Sequence, residues 1–282
     1  MGPGRLYVVA TAIGNLEDMT ARAVRILREV DLIAAEDTRH SRPLLDHYGI
    51  AKPMTSYHEH NESAKTELLI RKLESGCSVA LISDAGTPCI SDPGYRLVQA
   101  ARQRGIPVVA VPGPSAIMAA LSVGGLPTDR FAFHGFFPRK RQQAESVLRQ
   151  IAGWGGTHIF FESPSRLLTT LRIMDHILPD AEVAVARELT KMFEEVITGT
   201  AGGVAGRLAA SGVKGECVLL LHMGKVETVG GHLTPEQLHE RVLAIMKGEN
   251  LSKRDAVRRV AEELHLPRNQ VYEAATKAYE RD

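Results

Sequence analysis

Four carboxylates follow two short apolar runs: Glu36 and Asp37 after residues 32–35, and Asp84 and Asp92 after residues 79–82. Carboxylates repel phosphate, but they accept hydrogen bonds from ribose hydroxyls or an ammonium group. The segment 83–94 reads SDAGTPCISDPG. Its glycines 86 and 94 let backbone approach a ligand closely, and Pro88 and Pro93 fix the loop's shape. Neither standard phosphate signature is present: there is no G-x-x-x-x-G-K-[ST], and no G-x-G-x-x-G follows the first apolar run. A nucleoside triphosphate is therefore disfavoured, and a cationic or hydroxyl-rich ligand fits better. Asp84, directly after its run, is expected to touch that ligand. Asp92-Pro93 reads as a helix start, with the carboxylate as cap and proline in the first helical position.

Holding those loops together requires a repeating βα frame. Apolar runs at 6–10, 32–35, 79–82 and 108–111 each precede a polar or Gly/Pro-rich loop and then a helical pattern. Continuous apolar runs suit parallel strands covered on both faces, and right-handed crossovers gather the following loops at one sheet edge. Those loops read TAIGNLED, EDTRHS, SDAGTPCISDPG and PGPSA, and Pro114-Ser115 marks a further helix start. After Gly124-Gly125 the pattern changes. Segments 131–134, 158–161, 182–186, 195–200 and 216–222 read as strands, with helices near 142–151, 164–177 and 201–210. Runs 182–188 and 193–200 have no helix between them, which predicts antiparallel pairs in a mixed sheet.

Residues 223–232 read as a linker, and 233–282 as entirely helical. In that stretch Ser252 and Asp255 have capping-box spacing, Val257, Val260, Ala261 and Leu264 form an apolar stripe, and Leu266-Pro267 restarts a helix through Tyr279. The expected architecture is α/β: an N-terminal α/β domain over 1–113, a C-terminal α/β domain over 114–222, and a helix-turn-helix-like module over 233–282.

Composition narrows the function classes. The chain has 282 residues, 44% hydrophobic and 24% charged, so a sizeable core is available. Lys and Arg total 34 against 33 Asp and Glu, which excludes a uniformly basic nucleic-acid coat and leaves only local basic patches. Cys77, Cys89 and Cys217 are odd in number with no C-x-x-C pair, consistent with a reducing cytoplasm. No apolar run approaches the about 20 residues of a membrane span, and Met1 to Arg5 lacks a signal-peptide core, so neither export nor membrane insertion is expected. Among the eleven histidines only His58-Glu59-His60 invites a metal reading; without a third ligand at recognisable spacing, no metal is expected.

Seven ordered motifs carry a resemblance: LYVVATAIGNLEDMT at 6–20, AEDTR at 35–39, SDAGTPCISDPGYRLV at 83–98, VPGPSA at 111–116, GFFPRK at 135–140, ARELTK at 186–191 and KGE at 214–216. Together they resemble the ribosomal RNA small subunit methyltransferase I family, within the tetrapyrrole (corrin/porphyrin) methylase superfamily. The resemblance implies two α/β domains of that type with the ligand cleft between them. It implies S-adenosylmethionine as methyl donor, transfer to the 2'-hydroxyl of a cytidine in the decoding region of 16S rRNA in the small ribosomal subunit, and a homodimer. Carried over by position, the donor site comprises Ile13, Asp84, Thr87, Ser115 and Ala116, with Phe161, Leu189 and Glu216 from the second domain. Three departures stand out: Ala12 replaces a common proline, Cys89 fills a small or apolar slot as a packed thiol, and Ser165 stands where a histidine is often seen.

Methyl transfer from a sulfonium chiefly needs the acceptor oxygen aligned at about 3 to 3.5 Å, and a positioned base adds about 100- to 10,000-fold. Candidate catalytic residues are Glu36, Asp37, Glu188 and Lys191. Arg39 and Arg187 are candidates for RNA phosphate or for a developing oxyanion, although internal salt bridges explain the pairs Glu36–Arg39 and Arg187–Glu188 equally well. Arg139, Lys140 and Arg141, preceded by Phe136 and Phe137, form a compact basic loop beside aromatics suited to RNA. Lys253, Arg254, Arg258, Arg259 and Arg268 add cations to the helical module, yet residues 233–282 hold nine basic and nine acidic side chains. Two rival readings stay open: methylation of a corrin or porphyrin precursor, and a non-enzymatic helix-turn-helix ligand-sensing regulator.

Overall fold

Continuous apolar tetrads build the first sheet. Strands β1 (Leu6–Val9), β2 (Leu32–Ala35), β3 (Met54–Ser56), β4 (Val79–Ile82) and β5 (Val108–Val111) are all parallel, in the order β3-β2-β4-β1-β5. Every residue of β4 is buried. Helices cover both of its faces: α1 (Ala21–Glu29) and α2 (Thr38–His47) pack one side, α3 (Glu62–Glu74) and α4 (Tyr95–Gln103) the other. The apolar runs do not announce β3, whose Met-Thr-Ser is only half-buried at the sheet edge.

The helix α5 (Ala116–Val123) starts where Ser115 Oγ accepts from the Met118 backbone N–H at 3.5 Å. Its Ile117, Ala120 and Leu121 pack on the second sheet, against Ile159, Ala184 and Leu220. That sheet contains β6 (Phe131–Phe136), β7 (Gly156–Glu162), β8 (Glu182–Arg187), β9 (Glu195–Thr200) and β10 (Cys217–Met223) in the order β6-β7-β10-β8-β9. Only β6 and β7 pair in parallel; the other pairs are antiparallel, as the missing helix between 188 and 193 predicts. Helices α6 (Arg141–Ala152), α7 (Pro164–Ile177) and α8 (Ala201–Ser211) cover its other face around Phe160, Leu171, Val185 and Leu219.

This computed structural model describes residues 2–223, 235–249, 251–264 and 268–277, which fall in two compact units, Met1–Met223 and Gly224–Asp282. In the second unit α9 (Pro235–Glu249), α10 (Lys253–Glu263) and α11 (Arg268–Lys277) share a core of Leu238, Val242, Val257, Val260 and Val271. Ser252 Oγ caps α10 by accepting from the Asp255 N–H at 3.2 Å. Of the expected linker, Met223 closes β10 and 224–232 lie outside the described residues, as do Leu266-Pro267 and Tyr279. Among the described residues no helix is long and apolar enough to cross a membrane.

Candidate active site

The loops at the carboxyl ends of β1, β4 and β5 are tied to one another. Thr11 and Gly86 exchange backbone hydrogen bonds at 2.9 and 3.2 Å, Thr11 Oγ1 donates to the Ser83 carbonyl, and Thr87 Oγ1 donates to the Pro114 carbonyl. Gly86 has φ +76, and a Cβ there would meet Ile13 Cγ2 at 3.3 Å. Among the described residues four non-glycines adopt positive φ, and they fall in two loops: Cys89 and Ser91 after β4, Glu188 and Thr190 after β8. Backbone held there costs about 1–3 kcal/mol per residue and persists only where surroundings over-determine it.

These loops enclose a cavity of about 450 Å³. Ile13, Asp84, Thr87, Ser115, Ala116, Phe161, Leu189 and Glu216, scattered over two hundred residues of sequence, all line it. The wall also includes Glu36, Asp92, Ile90, Ile117, Phe136 and Glu162, and no lysine, arginine or histidine among the described residues. Asp92 therefore does not cap a helix, correcting the expectation from Asp92-Pro93. The chain turns through Gly94 at φ 137, α4 begins only at Tyr95, and the Asp92 carboxylate faces the cavity instead. Burial pushes the Cys89 thiol up to about 11, which fits a packed thiol.

Reciprocal hydrogen bonds order the acidic wall. The Asp84 N–H donates to Glu36 Oε2 at 3.3 Å, and the Asp37 N–H donates to Asp84 Oδ1 at 3.0 Å. Burial raises the Glu36 carboxyl above its ordinary range; the Asp84 N–H opposes this and the charges of Asp92 and Asp84 add to it. Burial likewise raises Asp92. Asp37 is set apart. Its carboxylate caps α2 and takes Arg39 Nε and Nη2 at 3.1 and 2.8 Å, so the guanidinium holds it far below the usual carboxylate range, and it does not line the cavity.

Elsewhere on the wall Glu216 is tied to two residues that do not themselves line the cavity: Lys191 Nζ donates to Glu188 Oε1 at 3.0 Å and to Glu216 Oε2 at 3.1 Å, while the Glu216 N–H donates to Glu188 Oε1. Lys191 lowers the Glu188 carboxyl; burial disfavours the Lys191 charge, but the two carboxylates outweigh it and raise the ammonium. Arg187 sits directly opposite Glu195 in the β8–β9 ladder, with Nε 2.5 Å from Glu195 Oε2 and its side chain 17% exposed. It belongs to that cross-strand pair rather than to an open RNA surface.

In the basic loop Arg139 and Lys140 are exposed, whereas Arg141 opens α6 and pairs with Glu145 at 2.8 Å. Phe136 is exposed and lines the cavity; Phe137 is buried in the core, which corrects its expected role as an RNA-facing aromatic. The base of the loop is held by residues that sequence reasoning passed over. Buried Glu162 accepts from Thr170 Oγ1 at 2.6 Å and pairs with Arg166, whose Nη2 reaches the carbonyls of Phe137 and Pro138. The spacing Glu162 to Arg166 at the start of α7 is the signal that reveals this clamp. His58 lies in a turn beyond β3, bonded to Asn61, and no group of three metal-ligating side chains occurs among the described residues.

A family model described as Tetrapyrrole (Corrin/Porphyrin) Methylases matches residues 5–205. Ribosomal RNA small subunit methyltransferase I of Synechocystis sp. is 44% identical over 271 residues, covering 96% of each chain. The protein of that name from Escherichia coli O157:H7 is 43% identical over 280 residues, covering 96% of this chain and 94% of its own. Among solved structures, diphthine synthase superposes with TM-score 0.63 at 15% identity over 78% of this chain and 90% of its own. A uroporphyrin-III-C-methyltransferase from Thermus thermophilus superposes with TM-score 0.53 at 23% identity over 82% and 99%. The structures speak for the fold, the relatives for the lineage: the chain belongs to the tetrapyrrole (corrin/porphyrin) methylase family and, within it, to the ribosomal RNA small subunit methyltransferase I group.

Proposed function

We propose that this chain methylates the 2'-hydroxyl of a cytidine in the decoding region of 16S rRNA, acting on the small ribosomal subunit. It is a methyltransferase that uses S-adenosylmethionine. The observation that carries the reading is the chemistry of the 450 Å³ cavity, whose charged residues among those described are all acidic and whose other walls are apolar apart from the hydroxyls of Thr87, Ser115 and Ser163. That combination suits a ligand with an ammonium group, a positive sulfur and a ribose diol but no phosphate, and the volume lies in the range of small-ligand sites. Asp84 and Glu216 supply acceptors, Thr87, Ser115 and Ala116 supply hydroxyl and backbone groups, and Ile13, Phe161 and Leu189 supply apolar surface. When bound, S-adenosylmethionine provides a methyl group open to in-line displacement.

The protein itself must align the acceptor oxygen and take its proton. Among the candidate carboxylates Glu36 suits the proton transfer, because it lines the cavity and its affinity for protons is raised, whereas Asp37 is spent on Arg39 and the α2 cap. Glu188 and Lys191 act as positioning residues through Glu216. Arg39, Arg139 and Lys140 are assigned to RNA phosphates. The assignment includes a cytoplasmic homodimer, with α/β domains over 1–113 and 114–222 and a helical module over 233–282.

Labelled methyl transfer to purified small subunits, followed by mapping of the modified sugar, tests the reading. Label on a cytidine 2'-oxygen is the expected result. Label only on a corrin or porphyrin precursor offered in parallel, or none at all, rejects it.

A further inference from the structure

A second cavity of about 410 Å³ lies beneath the same loop. Ile13 lines the first cavity, whereas Thr11, Ala12 and Gly14 line the second, and Asp84 lines both. Its walls are apolar at Leu16, Leu44 and Ile82, and its basic residues are the exposed Arg39 and His40. On the α2 side stands Ser41, 4% exposed, with its Oγ buried and without a hydrogen-bond partner among the described residues.

We propose that this second cavity receives one extruded pyrimidine nucleoside of the RNA substrate, its base between the apolar walls and bonded to Ser41, its phosphate on Arg39. The inference rests on the RNA reading above and names the acceptor's place within it. Three observations carry it. Shared Asp84 puts the cavity beside the donor cavity, where an acceptor must lie to be reached in line. Buried polar atoms in native proteins nearly always have a partner, so an orphan hydroxyl on a cavity wall points to one that arrives with a ligand. A hydroxyl both donates and accepts, and so can pair with a pyrimidine edge. The wall's charge is also selective. Arg39 uses Nε and Nη2 on Asp37, keeps further N–H groups for a phosphate, and with His40 supplies far too little positive charge for a polycarboxylate macrocycle. Extruding one nucleotide from a stacked RNA costs its stacking and pairing, which the pocket contacts must offset.

Ser41→Ala in the full chain tests the pocket, because removing an unpaired hydroxyl should leave the melting temperature unchanged or higher. Three measurements accompany it: S-adenosylmethionine affinity by calorimetry, kcat/KM for methylation of small subunits, and saturation-transfer NMR of cytidine 5'-monophosphate with the S-adenosylhomocysteine-loaded protein. The expected result is unchanged donor affinity, kcat/KM lower by about tenfold, and weakened saturation of the cytosine protons. Wild-type kcat/KM in the folded variant, or no cytosine saturation in the wild type, overturns the pocket. A wild-type enzyme that leaves small subunits unmethylated rejects the RNA reading instead, so the two failures are distinguishable.

Discussion

Lys191 lies across Gly14: a methyl group in place of the glycine hydrogen would sit 2.6 Å from Lys191 Cγ and 2.8 Å from Cε. The contact joins the loop after β1 to the loop after β8, and Lys191 cannot simply swing away because its ammonium is fixed by Glu188 and Glu216. Gly14→Ala should therefore disturb both walls of the donor cavity at once. Overpacking of this kind costs about 1–3 kcal/mol. The melting temperature should fall, and donor Kd in calorimetry should rise about tenfold. Gly206→Ala in α8, where a Cβ meets nothing within 4 Å, serves as control and should be neutral or stabilising by about 0.5–1 kcal/mol. Unchanged donor affinity in Gly14→Ala would show that the Lys191 contact does not shape the site.

Glu36 and Asp37 are neighbours with opposite electrostatics, and kinetics should separate them. Glu36→Gln should lower kcat by about 100-fold or more while donor Kd moves little. In the wild type, turnover should fall as pH drops through an apparent pKa above the ordinary glutamate value of 4.5, since burial and the charges of Asp92 and Asp84 favour the protonated form. That acid limb should vanish in the variant. Asp37→Ala should keep turnover within a few-fold and lower the melting temperature by about 2–4 °C through loss of the α2 cap. The reverse ranking would transfer the base assignment to Asp37.

The parallel sheet was legible because helices on both sides leave its strands continuously apolar, and α10 because Ser252 and Asp255 act within one turn. What escaped depended on backbone direction and register. Asp92-Pro93 has the composition of a helix start, but left-handed Cys89 and Ser91 and Gly94 at φ 137 delay α4 and turn the carboxylate inward. Phe136 and Phe137 look alike in a basic loop; side chains alternate along an extended chain, so one reaches the cavity and the other the core. Arg187 meets Glu195 only because β8 and β9 pair in that register, which composition does not encode. The eight donor-cavity residues come from loops of both sheets, from β7 at Phe161 and from the start of α5 at Ala116, and no local spacing relates them; the family resemblance does.

A histidine pair away from the cavity should make the fold acid-sensitive. His134 Nε2 and His158 Nδ1 lie 2.9 Å apart, one donating to the other, and His158 Nε2 is buried without a partner among the described residues. Burial, then the neighbouring His134, pushes His158 down to about 4, and burial also lowers His134. Since the unfolded chain titrates near 6.5, it binds more protons than the folded chain between the two values. The pair's stabilisation is complete above about pH 6.5 and declines as pH falls toward 4, by about 2 kcal/mol at pH 5 for His158. Thermal melts at about pH 7.5 and 5 should show the drop, and His158→Gln should flatten it. Parallel pH profiles for the two proteins would dismiss the pair as the cause.

The salt dependence of subunit binding should single out Arg139 and Lys140. Both are exposed ahead of α6, and among the described residues neither takes part in an ion pair like the one between Arg141 and Glu145, which offsets much of the Arg141 charge before RNA arrives. Each phosphate neutralised releases counterions, so log K falls with log salt by about 0.7–0.9 per contact. The double change Arg139→Ala, Lys140→Ala should reduce that slope by about 1.5 and weaken binding alike for cognate and unrelated RNA, because phosphate contacts carry no sequence information. Arg141→Ala should reduce it by less than half as much. The Glu162–Arg166 clamp holds the carbonyls of Phe137 and Pro138, so Arg166→Met should loosen the loop and weaken binding while the slope stays close to wild type. A slope unaffected by the Arg139, Lys140 change would place the RNA-facing cations elsewhere on the chain.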